Sequence, residues 1–183
     1  MTQQPAIHML KIVLTGDGGV GKTSLITQYI HGKIRPGYKA TIGVDIFKKE
    51  VITSRGIKVI LQIWDLSGQS RFGQIRNRFY NGADGQIVVF DITNESTLHN
   101  ISGWVEEASM NLKNLLVALP KVIVGNKIDL PEDQQINHMI VDSEIQPTGY
   151  PYYLTSAVTG ENVELIFTEI AEQILAAKKA KNQ

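Results

Sequence analysis

No cysteine occurs among the 183 residues. Disulfides, thiolate metal sites and thiol nucleophiles are thereby excluded. Net charge is absent as well, because 18 Lys and Arg offset 18 Asp and Glu. A general nucleic-acid binder needs a basic face to neutralise phosphates, so no nucleic-acid partner is expected. No apolar run approaches the roughly 18 residues of a membrane span. Met1 to His8 is polar and lacks an apolar signal core. These absences lead to the expectation of a cytoplasmic protein. The four histidines, His8, His31, His99 and His138, are scattered without metal-ligand spacing. Internal repeats, low-complexity tracts and interdomain linkers are also missing.

What is present is an apolar share of 43%, that of a globular protein with a real core, at a length that suits one domain. Short apolar runs at 9–15, 85–91, 121–125 and 152–154 read as buried strands. Two β-rich runs, 44–53 and 57–65, flank Ser54-Arg55-Gly56 and predict a hairpin. Helices are predicted after the first strand, from Lys22 to His31, and along Leu98, Ile101, Val105, Ala108 and Leu112. A weakly patterned one is predicted over 132–146, and a last one along Val163, Ile166, Phe167, Ile170, Ile174 and Leu175. Its lysines, Lys178, Lys179 and Lys181, suit a helix C-terminus. Segments 32–43 and 66–74 read as loops. The expected architecture is α/β: six strands, mostly parallel, one antiparallel edge strand, and helices on both faces.

Gly16-Asp17-Gly18-Gly19-Val20-Gly21-Lys22-Thr23 matches G-x-x-x-x-G-K-[ST] between a predicted strand and a predicted helix, the context this pattern requires. Backbone N–H groups of Gly18, Gly19, Val20 and Gly21 can turn inward on phosphate oxygens. The helix start at Lys22, Thr23 and Ser24 adds its positive end. Lys22 brings a cation to the outer phosphates, and the Thr23 hydroxyl is a ligand for Mg²⁺. The loop alone does not choose between ATP and GTP. Asn126-Lys127-Ile128-Asp129 makes the choice, directly after a buried strand and so at the sheet edge where ligands sit. The Asp129 carboxylate can accept from both N–H groups on the Watson–Crick edge of guanine. Adenine would leave it poorly satisfied.

With these two motifs in place, residues 9–176 resemble the Ras-like small GTPases, and among them the Rab branch most. The resemblance also rests on Thr41-Ile42-Gly43-Val44-Asp45, Leu61 to Gln69, Arg71-Phe72, Phe79 to Ala83, Val89 to Thr93 and Thr155-Ser156-Ala157, all in family order. It implies a P-loop G domain over 9–179, with an N-terminal extension 1–8 and a short tail 180–183. It implies that Thr41 binds Mg²⁺ and senses the γ-phosphate, and that Asp65 holds the metal through water. The Gly68 N–H would meet the γ-phosphate, Tyr38 would cover the phosphates, and Gln69 would orient the attacking water. Ser156 and the Ala157 N–H would support the base. Lys22, Thr41 and Gln69 are thus the catalytic candidates, and Thr23, Thr41 and Asp65 the metal-binding ones. A bulky side chain at Gly18 commonly blocks hydrolysis in this family.

Some positions depart from the usual Rab pattern. Ile34 stands where an aromatic packs on guanine, and Val158 where lysine is common. Ser67 and Ser70 replace alanine and glutamate. Ile46 and Phe79, with Trp64, occupy an effector-facing cluster that is usually all aromatic. Rab proteins end in prenylated cysteines, which this chain lacks before Gln183. A trimmed tail and a lineage without lipid anchors are the two readings. The implied activity is a slow GTPase switch, cycling between GDP and GTP with loops around Thr41 and Gly68 as switches. It would act as a monomer with an exchange factor, an activating protein and effectors, in membrane trafficking or a related process. A GTP-loaded binding module with negligible hydrolysis is the alternative. A P-loop kinase or ATPase would need an arginine-rich lid, and none is found.

Overall fold

Alternate residues of the central strands face opposite layers, and this divides the core in two. In a computed structural model, which describes residues 8–34, 41–69, 76–111, 119–131 and 135–181, the strands are β1 (His8–Thr15), β2 (Val44–Ile52), β3 (Lys58–Leu66), β4 (Gly85–Asp91), β5 (Lys121–Asn126) and β6 (Tyr152–Thr155). The helices are α1 (Lys22–His31), α2 (Glu95–His99), α3 (Ile101–Asn111), α4 (His138–Ile145) and α5 (Val163–Lys181). A 3-10 turn, Gln146–Thr148, follows α4. Ile87 and Val89 of β4 and Val122 and Val124 of β5 pack with Leu25, Ile26 and Tyr29 of α1 and Ile166, Phe167 and Ile170 of α5. Val88, Phe90 and Ile123 pack on the other side with Leu98, Ile101 and Trp104 of α2 and α3 and Val141 and Ile145 of α4. Strands buried on both faces have no polar side to show, hence the continuous apolar runs.

The sheet order is β2-β3-β1-β4-β5-β6. β3, β1, β4, β5 and β6 run parallel, and only the β2–β3 pair is antiparallel. Its turn is closed by the Thr53 N–H donating to Ile57 O at 3.0 Å and the Gly56 N–H donating to Thr53 O at 2.9 Å. This is the six-stranded α/β architecture the pattern predicts, and all five parallel strands end on one edge. Thr15, Leu66, Asp91, Asn126 and Thr155 therefore deliver their following loops to a common place.

One expectation needs correction. The single helix running from Leu98 is two helices, broken at Asn100. The apolar spacing of Leu98 and Ile101 continues across the break, so periodicity alone is blind to it. The start of α2 is capped by Asn94, whose Oδ1 accepts from the Ser96 N–H. On α3 the buried stripe runs through Trp104 and Ala108, with Val105 only partly buried. Leu112 lies outside the described residues, as do 132–134 of the weakly patterned segment. β1 begins at His8 and α5 continues to Lys181, so the elements reach one residue before and two residues beyond the expected domain limits of 9 and 179.

Helix α5 closes the first layer by stacking Phe167 on Tyr29, with ring centroids 4.0 Å apart and planes 14° from parallel. Phe167 is fully buried. Phe167→Ala should destabilise the protein by about 3–5 kcal/mol through lost burial and an unfilled cavity, as read by the shift of the urea unfolding midpoint.

Candidate functional site

The loop after β1 is shaped by glycines that no other residue replaces. Gly16 has φ +134, and a Cβ there would lie 2.1 Å from Val89 O. Gly21, at φ +99, would place a Cβ 2.2 Å from Asn126 Nδ2. Helix α1 starts immediately after it, with Gly21 as N-cap and no side-chain cap on its first N–H groups. Uncapped donors at a helix N-terminus are a ready anion site. Lys22 is buried, and its ammonium donates to Gly16 O and Asp17 O, both at 2.7 Å. Burial lowers its pKa to about 8, against the opposing pull of Asp65 and Asp17. The Asp17 carboxylate accepts from Trp104 Nε1 at 2.8 Å and Asn100 Nδ2 at 2.7 Å, which moors the loop to the α2–α3 junction.

Facing this loop, three oxygens gather. Thr23 Oγ1 donates to Asp65 Oδ2 at 2.5 Å, lies 2.8 Å from Thr41 Oγ1, and Thr41 Oγ1 is 3.2 Å from the same carboxylate oxygen. Asp65 is fully buried at the end of β3, and its Oδ1 has no partner among the described residues. Burial raises its pKa, opposed by the Thr23 hydrogen bond, the Lys22 charge and the Thr41 hydrogen bond. Two hydroxyls and one carboxylate, with one of its oxygens unpaired, form a hard donor set, which fits Mg²⁺. Among the described residues no group of three or more His, Cys, Asp or Glu gathers to hold a metal.

The segment after β3 presses on the loop. A Cβ on Gly68 would lie 2.4 Å from both Asp17 C and Gly16 O. The Ser67 N–H donates to Gly43 O at 3.0 Å and so joins the two segments expected to switch. Gly18, Gly19, Ser24, Ser67 and Gln69 complete the wall of this end of the cleft.

At the other end, a cleft of about 390 Å³ is lined by Gly19, Gly21, Ser24, Ile34, Asn126, Lys127, Asp129, Leu130, Ala157 and Val158. Asn126 lines it, yet its carboxamide is committed to the protein. Nδ2 donates to Val20 O at 3.0 Å, while Oδ1 accepts from the Ala157 N–H at 3.1 Å and Thr155 Oγ1 at 3.2 Å. Lys127 takes a left-handed backbone, φ 80, and its ammonium bonds Asp91 Oδ2 at 2.5 Å. The Ser156 hydroxyl donates to Asp129 Oδ1 at 2.6 Å and accepts from the Val158 and Thr159 N–H groups. Ser156 thus orients Asp129 from behind rather than lining the cleft. Ile34 is partly buried against the core, and Val158 is exposed. Tyr38, Arg35, Ser70, Arg71 and Phe72 lie outside the described residues. Leu130 also lines this cleft, and no local motif marks it.

On the outer face, Trp64 and Phe79 are half-buried with ring centroids 5.9 Å apart. Ile46 pairs with Trp64 across β2 and β3 and is half exposed. Among the described residues no helix is long and apolar enough to cross a membrane.

An open α/β sheet binds ligands outside the carboxyl ends of its strands, and this one is a P-loop nucleotide-binding G domain. A family model described as the Ras family matches residues 11–176. The Ypt/Rab-type GTPase YPT7 of Saccharomyces cerevisiae is 38% identical over 179 residues, covering 96% of this chain and 86% of the relative. Ras-related protein Rab7 of Drosophila melanogaster is 38% identical over 175 residues, 91% of this chain and 81% of the relative. Ras-related protein Rab-30 of Homo sapiens is 36% identical over 176 residues, 96% and 85%. The chain belongs to the Ras family, in its Rab/Ypt branch.

Asn126→Ala should leave the Val20 carbonyl and the Ala157 N–H unpaired in the interior. A loss of about 2 kcal/mol or more of stability is expected, together with faster release of bound GDP. Thermal unfolding and fluorescent-nucleotide dissociation measure the two effects.

Proposed function

We propose that the chain is a Rab-type switch that binds guanine nucleotide with Mg²⁺, hydrolyses GTP slowly, and shows partners a different surface in each state. The observation that carries this reading is the meeting of Thr23, Thr41 and Asp65 within 3.2 Å of one another, because they come from three separate segments. Thr23 belongs to α1, Asp65 to the end of β3, and Thr41 to the first switch segment. A ligand that draws on all three holds the first switch to the core, and its loss frees that segment.

In this reading the loop N–H groups and the Lys22 ammonium bind the phosphates. The Asp129 carboxylate, steadied by Ser156, reads guanine, while Ile34, Leu130 and Val158 offer it apolar contact. Thr23, Thr41 and Asp65 would hold Mg²⁺, which when bound supplies positive charge to the outer phosphate oxygens. Thr41 and the Gly68 N–H report the γ-phosphate. The Gln69 side chain orients the attacking water, and hydrolysis breaks the hold on both switch segments. No arginine finger is assigned within the chain, so turnover alone should be on the order of 10⁻⁴ to 10⁻³ per second, as at Ras-type sites. An activating protein would supply the missing charge, and an exchange factor and effectors would engage the same segments. Ile46, Trp64 and Phe79 beside them suit an effector contact. The Rab relationship supports a role in membrane trafficking, exerted from the cytoplasm.

Nucleotide released on denaturation should be GDP or GTP, and ATP should not compete for the site. Gln69→Leu should retain GTP binding and lose stimulated hydrolysis, whereas Thr23→Asn should bind GTP weakly relative to GDP. Full turnover in the first variant, or unchanged GTP affinity in the second, would contradict the roles given to these residues. Tight binding with no turnover in the unsubstituted protein would instead make it a GTP-loaded binding module.

A further inference from the structure

Arg76 is a buried cation that the reaction scheme leaves unused. Its guanidinium makes a two-pronged pair with Glu107 of α3: Nε to Oε1 and Nη2 to Oε2, both 2.9 Å. The Tyr80 hydroxyl donates to the same Oε1 at 2.9 Å. The guanidinium also lies over Trp104, 4.6 Å from the ring centroid, and Trp104 is itself bonded to Asp17 of the phosphate loop. Such a pair costs desolvation, and a well-packed apolar substitute would often serve stability equally well. Its geometry shows where the remaining donors go. Nη1 donates to Ser67 O at 3.1 Å and to Gln69 O at 2.9 Å, the carbonyls on either side of Gly68.

A trans peptide is planar, so its carbonyl and its N–H point in opposite directions. Holding Ser67 O on Arg76 therefore turns the Gly68 N–H the opposite way. Holding Gln69 O fixes the main chain from which the Gln69 side chain springs. We propose that Arg76, braced by Glu107, is the positioning residue of the second switch, aiming the Gly68 N–H at the γ-phosphate position and fixing the base of Gln69. This rests on the roles proposed above for Gly68 and Gln69. A fork can bond two carbonyls and a carboxylate together, and a lysine ammonium cannot reproduce that geometry.

The test uses Arg76→Ala, Arg76→Lys, Glu107→Gln and Gln69→Leu in the full chain. Affinities for GDP and for a non-hydrolysable GTP analogue are measured alongside single-turnover hydrolysis. Arg76→Ala should leave GDP affinity unchanged, lower the preference for the GTP analogue about tenfold, the size of one well-made hydrogen bond, and slow hydrolysis by at least as much. Arg76→Lys should show the same pattern and carries the test if the alanine variant folds poorly. Glu107→Gln, which keeps the shape but weakens the brace, should fall between. Adding Arg76→Ala to Gln69→Leu should slow hydrolysis by less than the product of the two single effects. Equal loss of GDP and GTP affinity would reduce Arg76 to a structural role and overturn the proposal, as would unchanged preference and turnover in both Arg76 variants. Normal hydrolysis by Gln69→Leu would refute the reading of Gln69 itself, while the GTP-over-GDP preference would still decide whether Arg76 aims Gly68.

Discussion

The Asn126 carboxamide donates to the phosphate loop at Val20 and accepts from Ala157 and Thr155 on the far side of the cleft. Only a group with both a donor and an acceptor on one short stem makes these bonds from the end of β5, and it does so almost fully buried. Each partner is a polar group that would otherwise be unsatisfied in the interior. The loops at the two ends of the cleft are therefore held at a fixed separation through one side chain. That side chain ties the two loops together across the cleft.

Main-chain contact performs the same task between the phosphate loop and the second switch segment. Gly68 lies directly on Gly16 and Asp17, Ser67 reaches Gly43, and Arg76 holds the carbonyls of Ser67 and Gln69. From Asp17 a further path runs through Trp104 to the same guanidinium. The phosphate loop thus touches the second switch both directly and through α3. Movement on one side has two mechanical routes to the other.

Much of this was legible in the sequence for a physical reason. Strands buried on both faces are mostly apolar, so the Ile87 to Phe90 run of β4 and the Val122 to Val124 run of β5 announce themselves, and the polar motifs that follow mark the sheet edge. The phosphate loop was legible because Gly16 and Gly21 leave no room for a side chain. Other features had no local signature. The break at Asn100 hides because Leu98 and Ile101 keep helical phase across it. The Arg76–Glu107 pair joins positions 31 residues apart, and neither residue carries a pattern of its own. Asn126 and Ser156 stand in recognisable motifs, but their hydrogen bonds to Val20, Ala157 and Asp129 have no signature in the sequence.

Three glycines of the site contrast with a fourth. At Gly16, Gly21 and Gly68 an added Cβ would strike backbone or the Asn126 amide at 2.4 Å or less, whereas at Gly18 it would meet nothing within 4 Å. Substitution at the first three damages the framework, and a cell's quality control would remove much of the product. At Gly18 an added Cβ meets open space beside the cleft, so substituted protein should keep its fold and persist with its chemistry disturbed. The loop therefore holds side by side positions whose variants disappear and one whose variants survive to interfere. Abundance measurements across a mutant library would register the former and overlook the latter.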